Sequence, residues 1–71
     1  MTEVIRDPAV MDGDPVIEGT HILAESIMSE LRSGHSPREI CDHHPGLTAD
    51  GVDAVVRWAE KTYGPRWRTR T

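Results

Sequence analysis

The stretch from Ser36 to Tyr63, SPREICDHHPGLTADGVDAVVRWAEKTY, holds two helix starts separated by a helix stop, which leaves the chain few choices of fold. Ser36 is placed to cap free N–H groups, Pro37 suits the first helical position, and Glu39 completes a Ser-x-x-Glu capping box. His44-Pro45-Gly46 ends that helix, because a residue before proline is pushed out of helical angles. Thr48 then caps a second helix, with Asp50 near the positive end of its dipole. Behind it Val52, Val55, Val56, Ala59 and Tyr63 recur at i, i+3, i+4, i+7 and i+11, the apolar stripe of an amphipathic helix. Two helices joined this tightly read as a helix-turn-helix.

The rest of the chain supplies one more helix and some short strands. Leu23, Ile27 and Leu31 fall at i, i+4 and i+8, which predicts a helix from about Ala24 to Ser33, closed by a left-handed Gly34. Its Glu25, Ser29 and Arg32 are expected to face water. Val4-Ile5-Arg6 reads as a short strand ended by Asp7-Pro8. Val16-Ile17 and Thr20–Leu23 flank Glu18-Gly19, which predicts a hairpin turning there. The long helix stops at Gly64-Pro65. The expected fold is therefore mainly α: an N-terminal β-hairpin plus a three-helix bundle with a helix-turn-helix, over residues 1–64, with a flexible basic tail over residues 65–71. A domain of this size buries only about 60% of its unfolded surface. A second copy, or another protein, is expected to complete the core, with Val16-Ile17 as a dimer-forming strand and packing on the helices as the alternative.

The formal net charge of −4 argues against nucleic-acid binding by bulk electrostatics, and the charge is unevenly spread. Up to Glu30, Arg6 is the only Arg or Lys against seven acids, whereas Lys61, Arg66, Arg68 and Arg70 close the chain with no acid among them. Cys41 is the single cysteine, which suits a reducing cytoplasm. No signal peptide and no membrane-spanning apolar run is visible, so a cytoplasmic protein with no membrane partner is expected.

No catalytic constellation stands out. Asp7, Asp12, Asp14 and Glu18 crowd the N-terminal turns, but each has a turn or strand edge to explain it, and no phosphate-binding loop follows a strand. Cys41-x-His43-His44, with His21 and His35 elsewhere, lacks the second ligand pair of structural zinc. No enzyme activity, metal or cofactor is expected. In a helix-turn-helix the early residues of the second helix face DNA; here they are Thr48, Ala49, Asp50, Asp53, Ala54 and Arg57. Two acids stand in that window, Arg57 is the one conventional reader, and Asp53 is placed to pair with it. Candidate DNA contacts are Arg57, Lys61, Arg66, Arg68 and Arg70. Candidate dimer or partner contacts are Val4, Ile5, Val16, Ile17, Trp58 and Trp67.

Asp7-Pro8-x-Val10-Met11-x-Gly13-x-Pro15-Val16-Ile17-x-Gly19-Thr20 resembles the opening of the small prokaryotic proteins called domain of unknown function 433. The likeness continues through Gly34-His35-Ser36, Glu39-Ile40 and Pro45-x-Leu47-Thr48 to the Val/Ala-rich helix. It implies a winged-type helix-turn-helix domain that forms dimers. It also implies an antitoxin of a type II toxin–antitoxin pair with a PIN-like nuclease, one that regulates its own operon. This chain departs from the family with His21 for Arg, Ile22-Leu23-Ala24 for Ile-Pro-Val, and His44 for an aromatic residue. A stand-alone DNA-binding regulator and a structural adaptor are the alternatives.

Overall fold

The computed structural model describes residues 2–68. In chain order it contains β1 (Val4–Ile5), a one-turn 3-10 segment (Met11–Gly13), β2 (Val16–Ile17), α1 (Ala24–Arg32), α2 (Pro37–His43) and α3 (Ala49–Tyr63). It is the expected N-terminal hairpin followed by three helices.

The helix ends follow the local chemistry. Glu39 N–H donates to Ser36 Oγ at 3.2 Å and Ser36 N–H to Glu39 Oε1 at 2.9 Å, closing the capping box of α2. Thr48 Oγ1 accepts from Gly51 N–H at 3.2 Å and caps α3. Gly34, at φ +93°, ends α1 in a Schellman motif. Its N–H donates to Leu31 O at 3.1 Å and His35 N–H donates to Glu30 O at 3.2 Å. The start of α1 has no capping side chain; Ala24 N–H donates instead to Pro15 O at 2.9 Å, tying the helix to the strand before it.

The sheet differs in its pairing from the hairpin read at Glu18-Gly19. β1 runs antiparallel to β2, with Val4 opposite Ile17 and Ile5 opposite Val16. The turn at Gly19 does form: Thr20 N–H donates to Ile17 O at 3.0 Å. Its second arm amounts to the Val16–Leu23 bridge and an Ile17 N–H bond to Ile22 O at 3.0 Å. That arm is cut short because the chain must enter α1 at Ala24. β2 therefore lies between β1 and residues 22–23. Between β1 and β2 the chain reverses through consecutive left-handed residues, Met11, Asp12 and Gly13.

The core gathers Ile17, Ile27, Met28, Ile40, Val52 and Val55, each no more than 1% exposed. Val16, at 0%, and Ile17, at 1%, are thus spent inside the chain, which corrects their reading as dimer contacts. Gly51 lets α3 come close: a Cβ there would stand 2.9 Å from Leu47 Cδ1 and 3.4 Å from Ile17 Cγ2. Tyr63 leaves the expected stripe and is 52% exposed; its hydroxyl donates to Glu25 Oε2 at 2.6 Å. At this end of the helix the neighbour is a carboxylate on α1, so the ring stays outside.

Residues 65–68 of the expected tail are described, and residues 69–71 lie outside the described residues. Trp67 is 4% exposed and belongs to the core, and Arg32 Nε donates to its carbonyl at 2.8 Å. The folded unit thus runs past Gly64. Trp67→Ala is expected to cost about 3–5 kcal/mol in urea unfolding, the usual range for emptying a buried aromatic site. An unchanged midpoint would return Trp67 to the surface.

Candidate functional site

Two places gather functional side chains. The first is where β1 lies along α3. Glu18 N–H donates to Glu3 O at 2.8 Å, so Glu3 and Glu18 form a hydrogen-bonded pair of the antiparallel ladder. By alternation the next pair, Val4 and Ile17, is non-bonded, and Ile17 N–H indeed turns the other way, to Ile22 O. The N–H and C=O of Val4 consequently point away from β2, along the outer edge of the sheet. Beside that edge is a cleft of about 260 Å³ lined by Glu3, Val4, Ala54, Arg57, Trp58 and Lys61. Trp58 is half-buried and meets the Tyr63 ring edge-on, with centroids 5.7 Å apart.

The start of α3 is engaged rather than bare. Thr2 N–H donates to Asp50 Oδ2 at 3.0 Å, and Arg57 Nη2 donates to Thr2 O at 3.2 Å. Hydrogen bonds from Thr2 hold the Asp50 carboxyl below its ordinary range. The expected Asp53–Arg57 pair is absent among the described residues, because the N-terminal backbone takes the guanidinium. Ala54 is buried against the hairpin side and does not face outward as a DNA-reading position would. Of the expected tail cations, Arg66 and Arg68 are exposed, with the Arg68 guanidinium 5.0 Å from the Trp67 ring centre. Arg70 lies outside the described residues. Ile5 is partly buried and lines a separate cleft with Val10, Val16, Gly19, Thr20 and His21.

The second place is the junction of α1 and α2, where three imidazoles converge on Glu30. His43 Nδ1–H donates to Glu30 Oε1 at 2.7 Å, and His44 Nε2–H donates to Glu30 Oε2. His35 Nδ1 lies 3.3 Å from the Glu30 carbonyl. His35 and His43 meet edge-on with centroids 5.5 Å apart. The hydrogen bond from His43 lowers the Glu30 carboxyl most; partial burial opposes it, and His44 adds to the lowering. Among the described residues, no three His, Cys, Asp or Glu side chains are placed to hold one metal ion together. Two of the N-terminal acids serve local geometry: Asp7 Oδ1 accepts from Ala9 N–H at 2.9 Å and Glu18 Oε1 from Glu3 N–H at 3.3 Å.

Sequence reasoning missed Glu30 and Thr2. Neither carries a local signal, since each acts on residues one or more elements away. Residues 4–59, most of the chain, match a family described as protein of unknown function, DUF433. No curated protein and no solved structure matches the chain. No helix among the described residues is long and apolar enough to cross a membrane.

The Glu30 cluster makes a pH prediction. A carboxyl held below its ordinary value of 4.5 stabilises the fold above that value. The contribution disappears as pH falls through the lowered native value. Glu30→Gln is therefore expected to melt below wild type at pH 6 and to converge with it in acid below the native carboxyl's pKa. Melts at stepped pH check this; a gap that widens toward acid would contradict it.

Proposed function

We propose that this chain, which belongs to the DUF433 family, is a non-enzymatic interaction module: the antitoxin partner of a PIN-like nuclease. The observation that carries the reading is the outer edge of β1 beside the Trp58 cleft. An extended segment of a partner gains main-chain hydrogen bonds at such an edge, and side-chain pockets beside it give specificity. A half-buried tryptophan is a good anchor for a protein contact. Arg57 and Lys61 on the rim suit the carboxylates with which nucleases hold divalent ions. The proposal includes a homodimer, with β1 rather than Val16 and Ile17 as the pairing strand, because the core consumes those two side chains.

Val4→Pro tests this reading cleanly. It removes an outward-facing N–H without removing a bond to β2. Co-expressed with a PIN-like nuclease, Val4→Pro and Trp58→Ala are each expected to lose capture of the partner, with helical circular dichroism retained. Light scattering should show the free chain as a dimer that Val4→Pro weakens. Undiminished capture by both variants would remove the proposal.

Operator binding, as autoregulation, rests on the exposed Arg66 and Arg68 more than on α3, whose outward face mixes Asp50, Asp53 and Glu60 with Arg57 and Lys61. If both arginines meet phosphates, Arg66→Ala with Arg68→Ala lowers the salt slope by about 0.9 per lost contact on duplex DNA. An unchanged slope in a filter-binding or anisotropy titration would exclude them.

A further inference from the structure

The histidines at the α1–α2 junction are arranged more specifically than the packing of a helix end requires. His35 precedes the cap of α2 and His43 occupies its last helical position, yet their rings meet with centroids 5.5 Å apart. Glu30 brings them together. Its side-chain carboxylate takes the Nδ1–H of His43, and its backbone carbonyl faces Nδ1 of His35. Both oxygens only accept, so each Nδ1 carries the proton. Each neutral ring therefore keeps an unprotonated Nε2.

We propose that His35 and His43 form a two-histidine site for a borderline divalent transition-metal ion, zinc in the first place. Metal-binding histidines characteristically donate their other ring N–H to a carboxylate or a backbone carbonyl, which fixes tautomer and ring orientation. Both of those second partners are already present here, on one residue. The spacing also fits. A zinc ion about 2.0–2.1 Å from Nε2 lies about 3.2 Å from the ring centre, so two imidazoles on one tetrahedral ion have centres about 5 Å apart. The ring centres, 5.5 Å apart, are compatible with that distance, and the ion itself draws the two Nε2 atoms together. The His43 side chain is 51% exposed, so an ion and its waters have access.

Neighbouring groups set the limits of the site. His44 is not a ligand through Nε2, which is used on Glu30. Glu39 lies one turn before His43, and its carboxyl is lowered mainly by Ser36 hydrogen bonds, with smaller contributions from His35 and His43. It adds negative charge nearby while its Oε1 stays in the capping box. Since no three donors converge among the described residues, water completes the coordination. Two protein ligands make this an accessory site rather than a four-ligand structural one. Imidazole donors select zinc, nickel or copper over magnesium or calcium. The proposal is independent of the nuclease-partner reading.

Calorimetric titration of the full chain with zinc chloride at pH 7.5, with magnesium chloride as control, tests it. The expected result is one zinc ion per chain, no magnesium heat, and a melting temperature that rises with zinc concentration. His35→Ala and His43→Ala should each lower affinity at least about tenfold, and His21→Ala should leave it unchanged. Glu30→Gln keeps both ligands and should lower affinity by about 10–100-fold, the range for loss of an anchoring partner. Circular dichroism of each apo variant separates a lost site from a lost fold, and His43→Gln serves if His43→Ala melts early. No zinc heat at millimolar concentration overturns the site. So does full affinity in both folded histidine variants, and so does equal affinity in Glu30→Gln.

Discussion

Everything else in this structure leans on α3. It touches α1, α2 and both strands, and it does so by presenting small residues to its neighbours. Gly51 lets Leu47 and Ile17 approach the helix backbone, and Ala54 and Ala59 bury without demanding space. Burying Val52 and Val55 supplies about 1.5–3 kcal/mol each, more than the net 0.5–1.5 kcal/mol of a typical hydrogen bond. The exposed Thr2–Asp50 and Arg57–Thr2 bonds therefore orient the N-terminus more than they hold the domain together.

Where local chemistry decides, the sequence is enough to predict the outcome. Ser36 and Glu39 close their capping box, Thr48 caps α3, and Gly34 turns left-handed, each within a few residues of its partner. Where the partner is distant, the pattern is silent. The ladder between β1 and β2 spans a ten-residue connection whose reversal uses left-handed Met11 and Asp12, residues that do not advertise such angles. Tyr63 has the right spacing for the core, but its neighbour is Glu25. Trp67 follows a Gly-Pro stop and still reaches the interior, where it joins a core drawn from β2 and all three helices.

The candidate sites were legible to different degrees. Trp58 and the cations Arg57 and Lys61 were visible by residue type, yet the cleft that unites them depends on the course of β1. The histidines were visible as a cluster, whereas the residue that orders them was not. Glu30 belongs to a broader pattern on α1, where Glu25 and Arg32 were expected only to meet water. Glu25 holds Tyr63, Glu30 holds three imidazoles, and Arg32 holds the backbone at Trp67. One short helix thus secures both the α2 joint and the segment after α3 through its outer face.

The burial of Trp67 has a consequence for synthesis on the ribosome. The helices can begin to form as each emerges, since their caps are local. The core is not complete until residue 67 has cleared the exit tunnel, because Trp67 is part of it. In that interval the open strands are free to pair with whatever is being made nearby.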